Sequence, residues 1–336
     1  MDSLTHIVLG ACIGEAFAGK KLGRKAMVWG ALSQSIPDID FVTAFWMSPA
    51  DGLLAHRGFT HSFLFGIAIS FLLALIAERW HRPHNISLRN WIFFFAGQVF
   101  SHLLIDACNS YGVGWFIPFS SYRVSFNILF VADPFFSVWP ALAAFFLFIF
   151  RKNDSRRKFL WRTGIALPIL YVGYALVNKM TIDTDVRRSF AIQKIPHARY
   201  FTTPSPLNNW LWFVVAEADS GFNVGFRSVF DKSPTTEFRF FPRNEELLQP
   251  LKGHEDLQHL IRFSKGYYTA EYWGDTLVFN DLRFGQIIGW QDPGEKFVFH
   301  FFIRQPAANR LVVQRGRFAK WNWEIVKSMV RRIRGR

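Results

Sequence analysis

Four apolar stretches of this chain, free of Asp, Glu, Lys and Arg, read as membrane spans: residues 62–77, 91–105, 134–150 and 163–178. An uncharged apolar run of this kind has to be buried. With its flanking residues each approaches the ~20 residues that cross a bilayer as a helix. The spacing therefore predicts four long membrane spans. Two shorter apolar pieces, residues 4–19 and 26–36, precede them and predict two short helices packed against the spans or crossing as thin spans. Composition agrees with burial on this scale: half of the 336 residues are hydrophobic and 18% are aromatic. That excludes a disordered chain and argues against an ordinary soluble enzyme. Two Cys cannot form a disulfide framework. The start has no basic segment and carries Asp2, so no cleaved signal peptide is expected.

The net charge of +14 has to be located before it means anything. Lys20, Lys21, Arg24 and Lys25 lie between the two short pieces. Arg79, Arg82 and Arg89 lie between the first two long runs. Arg151, Lys152, Arg156, Arg157, Lys158 and Arg162 lie between the last two. The alternate loops hold mainly Arg57 and Arg123. Cytoplasmic loops concentrate Lys and Arg, so the three basic loops are expected inside and the chain leaves the last span outside near Asn178. This predicts a multi-pass protein of a bacterial inner membrane, and no nucleic-acid partner is expected.

After Thr181 the pattern changes. Aromatic and β-branched runs at residues 209–215, 222–230, 238–241 and 297–304 read as strands, separated by turn signals at 219–221 and 273–275. Residues 255–263 read as a helix. The division expected is a membrane-embedded helical domain over 1–180, a mainly β (α+β) extracytoplasmic domain over 181–317, and a basic amphipathic tail over 318–336. In the tail, Trp321, Ile325, Met329 and Val330 alternate with Lys320, Lys327, Arg331 and Arg332. Such a helix either lies on an anionic membrane surface or packs on its own domain with a solvated basic face.

The chemistry concentrates in His and Asp, at four places: His6; Pro37-Asp38-Ile39-Asp40; His56-Arg57-Gly58-Phe59-Thr60-His61-Ser62; and His102-x-x-x-Asp106. His102 and Asp106 are one helical turn apart and share a face. Asp38 and Asp40, in an extended turn after Pro37, would converge. Gly58 allows a bend that brings His56 and His61 together. In the predicted topology all four places fall at the outer membrane level. Ionisable groups near an apolar zone need partners or a metal. Imidazole with carboxylate suits Zn²⁺ first, and Mn²⁺ or Fe²⁺ as alternatives. Seven candidate ligands, His6, Asp38, Asp40, His56, His61, His102 and Asp106, fit one or two ions. Taken singly, each has a plainer role: a helix-end His, an ion-pair Asp, or a His102–Asp106 pair without metal. His81, His84, His197, His254, His259 and His300 fall elsewhere and read as structural.

These motifs resemble the YdjM-like family of inner-membrane metal-dependent hydrolases. The resemblance rests on the early His, on Pro37-Asp-Ile-Asp40, on the His-Arg-Gly-Phe-Thr-His-Ser string at 56–62, on Ser101-His-x-x-x-Asp106, on Tyr111-Gly-Val, and on the stretch from Trp115 to Pro118. It covers about residues 1–135 and implies nothing for the C-terminal part. The His-x-x-x-Asp helix is more weakly similar to one in zinc-dependent phospholipases C.

The expectation is a membrane-bound metal-dependent hydrolase with an activated water as nucleophile. Its substrate would be a lipid or lipid-linked phosphoester, with membrane lipids as its surroundings. Arg57 and Arg123 are candidates to neutralise an anionic substrate, or are plain interfacial Arg. Asp133 is a candidate supporting residue or a helix cap. Asn109 bonds a ligand or a turn, and the loop at 109–132 could lie over the site. The rivals are a non-enzymatic protein with a structural metal or polar cluster, and a metal-binding transporter. Against transport, the spans are nearly bare of polar residues below the outer layer, with Gln98 the main exception.

Overall fold

The computed structural model describes residues 1–81, 85–303 and 320–335, so Arg82, His84, Arg304 and Phe318, named above, lie outside the described residues. The chain divides into two compact units. The first comprises Met1–Thr43 and Ala55–Ala175; the second comprises Ala44–Leu54 and Leu176–Arg336.

The first unit is helical. Helix α1 (Ser3–Leu22) packs against α2 (Arg24–Ser35), α5 (Leu88–Ala107) and α6 (Pro134–Ile149), while α4 (Phe63–His81) packs on α5. The short helix α3 (Pro49–Ala55) precedes α4 in the chain and, apart from Ala55, belongs to the second unit. Asp2 caps α1, its carboxylate accepting from the Thr5 amide at 3.0 Å. Glycines set the α1–α2 spacing. A Cβ on Gly30 would stand 1.9 Å from the Gly10 carbonyl oxygen, and one on Gly14 would stand 2.1 Å from that of Ala26. The two backbones therefore touch where side chains would hold them apart. Glu15 of α1 receives a bidentate ion pair from Arg157 at 2.8 and 2.6 Å, and both groups are buried.

Four long spans are not what forms. Among the described residues, two helices are long and apolar enough to cross a membrane: Phe63–His81 and α7, Arg156–Gln193. In each, only 22% of the most apolar window is buried, whereas the core helix of a soluble protein would be mostly enclosed. The run at 134–150 yields a helix of only 16 residues. The run at 91–105 lies in α5, which is 20 residues long but carries Arg89 and Asn90 in its first turn and buries Gln98, His102 and Asp106. Gln98, His102 and Asp106 face inward, so α5 serves as an internal wall of the first unit. The early piece at 4–19 is likewise part of a full 20-residue helix.

The second unit is the expected β-sheet domain. Seven strands are described: β1 (Tyr200–Pro204), β2 (Leu211–Ala218), β3 (Gly221–Ser228), β4 (Phe238–Pro242), β5 (Tyr268–Trp273), β6 (Thr276–Gln286) and β7 (Phe297–Phe302). They form an antiparallel sheet ordered β1-β2-β3-β4 and a second antiparallel sheet ordered β5-β6-β7. Strand β2 is buried on both faces. Trp212, Val214 and Ala216 meet Ile182, Val186 and Phe190 of α7. Phe213 and Val215 meet Phe222, Leu282 and Phe297. That two-sided burial is why β2 reads as a continuous apolar run rather than an alternating one. The predicted helix at 255–263 is α8 (Glu255–Phe263). The C-terminal helix, Trp323–Ile333, buries Ile325 and Met329 against Leu211, Ile287, Trp290 and Val298, so its apolar face is taken by its own unit.

Candidate metal centre

The segments that carry His and Asp meet at one end of the first unit. Helix α5 presents His102 and Asp106 one turn apart, with Nε2 of the imidazole 3.4 Å from Oδ2 of the carboxylate. A 3₁₀ turn, Phe59–His61, ends at His61 just ahead of α4. Its Nε2 lies 3.1 Å from that of His102 and 3.3 Å from Asp106 Oδ2. Asp38 Oδ1 completes the group, 3.5 Å from His61 Nε2 and 3.6 Å from His102 Nε2. One atom from each of these four residues lies within 4.8 Å of every other.

The extended turn expected at Asp38–Asp40 does not occur. Pro37–Phe45 is a 3₁₀ helix. With about three residues per turn, positions i and i+2 point to different sides. The two carboxylates therefore grip opposite nitrogens of His61. Asp38 faces Nε2, and Asp40 Oδ2 lies 3.3 Å from Nδ1. Asp40 also accepts from His56 Nδ1 at 2.9 Å, from the Arg57 amide at 2.7 Å and from Thr60 Oγ1 at 3.2 Å. The bend after His56 also differs from expectation: Arg57, not Gly58, takes the left-handed backbone, with φ 55°. A non-glycine residue there costs roughly 1–2 kcal/mol. Arg57 is held by its amide on Asp40 and by its carbonyl, which accepts from the Gly114 amide at 2.9 Å.

The remaining candidates surround this group. His6 puts Nε2 on the other oxygen of Asp106 at 3.1 Å, and its ring stacks on His102 with centroids 3.8 Å apart. His56 is 38% exposed and bonds Asp40 rather than joining the four. Arg57 sets Nε 3.0 Å from Asp106 Oδ2, gives one terminal nitrogen to Asn109 Oδ1 at 2.9 Å, and gives the other to the Met1 carbonyl at 3.2 Å. Arg123 donates to the carbonyls of His56 at 2.6 Å and Gly112 at 3.2 Å, and both Arg residues lie over the Tyr111 ring. Asp133 stands apart from the cluster. It caps α6 through the amides of Phe135 and Phe136 and accepts from the Tyr171 hydroxyl at 2.9 Å. Gln34, absent from the sequence candidates, is a full participant. Its carbonyl accepts from His102 Nδ1 at 2.6 Å, its Oε1 meets His6 Nδ1 at 3.3 Å, and its amide nitrogen donates to Ser101 at 2.7 Å. Its residue type gave no signal, since it stands between Ser33 and Ser35 in α2.

These bonds fix the chemistry of the four atoms. A carbonyl only accepts, so His102 carries its proton on Nδ1 and turns the lone pair of Nε2 inward. For His61 the acceptor is Thr60 Oγ1, 3.1 Å from Nδ1: that hydroxyl gives its own proton to Asp40 and so accepts from the imidazole, with the Asp40 carboxylate 3.3 Å away. Two imidazole lone pairs then face two carboxylate oxygens, an arrangement that repels itself unless a cation sits among them. Asp106 Oδ2 is buried and takes no aligned hydrogen bond, although three nitrogens approach it. Bonds of about 2.0–2.2 Å to a four-coordinate ion put neighbouring ligands about 3.3–3.6 Å apart, against the 3.1 to 3.6 Å found for the five separations above. The residues therefore fit a divalent metal. Without one, a proton takes its place. Burial works against charge on His61, but Asp106, Asp38 and Asp40 outweigh it and raise the imidazole pKa to about 9. Burial likewise opposes ionisation of Asp38 and Asp40, yet their His partners hold both carboxyls below the usual range.

Residues 1–182 match the model of the YdjM inner membrane protein family. The chain is also similar to the Escherichia coli (strain K12) protein named inner membrane protein YbcI. The two are 34% identical over 123 residues, which cover 36% of this chain and 69% of that protein. No solved structure matches.

Proposed function

Because the chain belongs to the YdjM inner membrane protein family and is a protein of the inner membrane, we propose that Asp38, His61, His102 and Asp106 hold one divalent metal ion, Zn²⁺ foremost. We propose that the protein uses this ion to hydrolyse a lipid or lipid-linked phosphoester at the outer membrane face. One observation carries the reading: four ligand atoms from three separate segments, the 3₁₀ helix with Asp38, the turn with His61 and α5 with His102 and Asp106, stand at the mutual distances of one metal's coordination sphere. Such an ion supplies Lewis acidity toward a phosphoryl oxygen and toward water.

The chain's own residues prepare that chemistry. Gln34, and Thr60 backed by Asp40, hold the imidazole protons on the far nitrogens. His6 and Arg57 fix the Asp106 carboxylate and balance its charge. Three of the four ligand side chains are sealed at 0% exposure, while Asp38 is 16% exposed, so substrate and water would arrive at the Asp38 edge. His56, bonded to Asp40 and partly exposed beside that edge, is the group best placed to exchange a proton with solvent. The ligand-bearing segments also hold Leu4, Ile39, Phe41 and Phe59 out to solvent, which suits a substrate with acyl chains. Outward placement rests on the basic residues at 20–25 and 151–162, far along α1 from His6.

A purely structural metal is the competing reading, favoured by the sealed ligands; the open Asp38 edge argues against it. The deciding experiment has two stages. Elemental analysis of detergent-purified protein should find about one equivalent of metal, absent from a His61→Ala, His102→Ala variant. The metal-loaded protein should then release phosphate or a phosphorylated headgroup from lipid phosphoesters, with the variant inactive. Metal bound at full stoichiometry with no turnover across a phosphoester panel would leave the structural reading standing. Wild-type protein that takes up no metal would end both.

A further inference from the structure

Cations gather at the far end of α1, where the metal centre does not reach. Leu22 is 16 positions after His6, about 24 Å along a helix. There a cavity of about 450 Å³ is lined by Leu22, Gly23, Arg24, Lys25, Phe150, Arg151, Lys152 and Arg157. It is a built site. Gly23 makes the α1–α2 turn with φ 60°, and α2 starts at Arg24 with no side-chain cap on its first turn. Lys152 anchors the opposite wall by donating to the Lys21 carbonyl at 2.9 Å. Arg157 is matched by Glu15, and the nearby Asp154 is taken by Arg156 at 2.7 Å. Arg24, Lys25, Arg151 and Lys152 are all exposed, and among the described residues no acidic one lines the cavity.

On the other side of Arg24 and Lys25 a second cavity, about 360 Å³, runs along Val28, Trp29, Leu32, Trp80 and His81. It is apolar apart from its rim. His81, which lines it, is engaged, since its Nε2 accepts from Trp29 Nε1 at 2.8 Å. The two cavities share Arg24 and Lys25. A basic chamber joined to an apolar groove by the same two cations has the shape of one kind of ligand, an anionic head on an acyl chain.

We propose that this pair of cavities binds one anionic glycerophospholipid. Its phosphate sits among Arg24, Lys25, Arg151 and Lys152, and an acyl chain lies on Val28, Trp29 and Leu32. Basic pockets between membrane helices recognise acidic lipid headgroups by the same physics. A free phosphate would use the chamber alone; a neutral lipid would use the groove alone.

The test is thermal unfolding of the full chain in neutral detergent, titrated with dioleoylphosphatidylglycerol, dioleoylphosphatidylcholine or inorganic phosphate. Phosphatidylglycerol should raise Tm saturably, with or without metal in the His/Asp centre. The variant Arg24→Gln, Lys25→Gln, Lys152→Gln should need roughly tenfold more of it for the same shift. Leu32→Gln, at a position 55% exposed, should weaken the response without lowering the lipid-free Tm. In the wild type, raising NaCl from 0.05 to 0.5 M should weaken binding by about tenfold, which keeps the test open if the triple variant fails to fold. An equal shift with phosphatidylcholine, an equal shift with inorganic phosphate, or salt-independent binding would each overturn the proposal.

Discussion

His61 and His102 turn their Nε2 atoms toward each other at 3.1 Å, so that one proton or one metal ion can lie between them. Each has its other nitrogen tied to a fixed acceptor, the Thr60 hydroxyl backed by Asp40 for His61 and the Gln34 carbonyl for His102. Two Lewis bases held nose to nose, with Asp38 and Asp106 closing the ring, make sense as a cation site. The consequences below follow from that relationship.

Removing either imidazole should empty the site. His61→Ala and His102→Ala are each expected to lower metal affinity at least about a hundredfold, beyond the effect of disturbing a supporting residue. Competition with a chromogenic chelator reads this directly. Near wild-type affinity in both single variants would mean that these nitrogens are not ligands.

Supporting residues should matter by a smaller step. Asp40→Asn keeps the shape but weakens the hold on the His61 Nδ1 proton, so affinity should fall about 10–100-fold with stoichiometry intact. His56→Gln should leave metal affinity within a few-fold, because the one hydrogen bond of His56 toward the site goes to Asp40 and its ring only borders that of His61. If His56→Gln instead strips the metal, His56 has to be counted among the ligands.

Metal uptake should release a proton. His61 holds one up to about pH 9, and the metal needs the lone pair that this proton blocks. The folded pKa is raised, so the protonated form prevails below pH 9 and competes with metal more strongly as pH falls. Apparent affinity should rise about tenfold per unit from pH 7 to 8 and level off above 9. Calorimetric titration in two buffers of different ionisation enthalpy counts the proton; a count near zero at pH 7 contradicts the proton-exchange account.

Some of this was legible in the sequence and some was hidden by geometry. The four-residue spacing of His102 and Asp106 needs only the helical repeat, and the strands at 211–218 and 221–228 needed only apolar patterning and the turn at 219–221. Asp38 and Asp40 were visible as a pair. Their separation onto opposite nitrogens of His61 depends on a 3₁₀ turn that no periodicity announces. Gln34 was hidden because the group it offers to His102 is a backbone carbonyl, which every residue has. The excess of spans came from counting uncharged residues. Gln98, His102 and Asp106 lower the hydropathy of α5 because that helix faces inward, and charge counting cannot tell a lipid-facing helix from an internal wall. Nothing in the composition of residues 44–54 shows that they group with the second unit.

The buried pair Glu15–Arg157 should respond asymmetrically. Glu15→Gln leaves an uncompensated Arg157 inside the bundle and should cost about 3–5 kcal/mol. Replacing both residues with Met removes the charge together with its desolvation and should recover much of that loss. Thermal unfolding of the two variants in detergent decides the matter. A double variant as unstable as the single would show that the Arg157 bonds to the Leu147 and Phe150 carbonyls carry the stability.

Packing at Gly30 should control the metal centre from a distance. Gly10 lies one turn beyond His6 on α1, and Gly30 lies one turn before Gln34 on α2, so the glycine contact sets the gap that His6 and Gln34 bridge at 3.3 Å. A methyl group at Gly30 would fall 1.9 Å from the Gly10 oxygen and 2.9 Å from Gln98 Nε2. Backbone cannot yield as a flexible side chain does, so the helices must part by an ångström or more. Gly30→Ala is therefore expected to destabilise by about 1–3 kcal/mol. It should also weaken metal binding, because Gln34 would no longer hold both His6 and His102. Gly97→Ala is the control: it lies on α5, where an added Cβ meets nothing within 4 Å, and it should leave both properties unchanged. Should Gly30→Ala lose stability but keep full metal affinity, the Gln34 contacts would not be what orients the imidazoles.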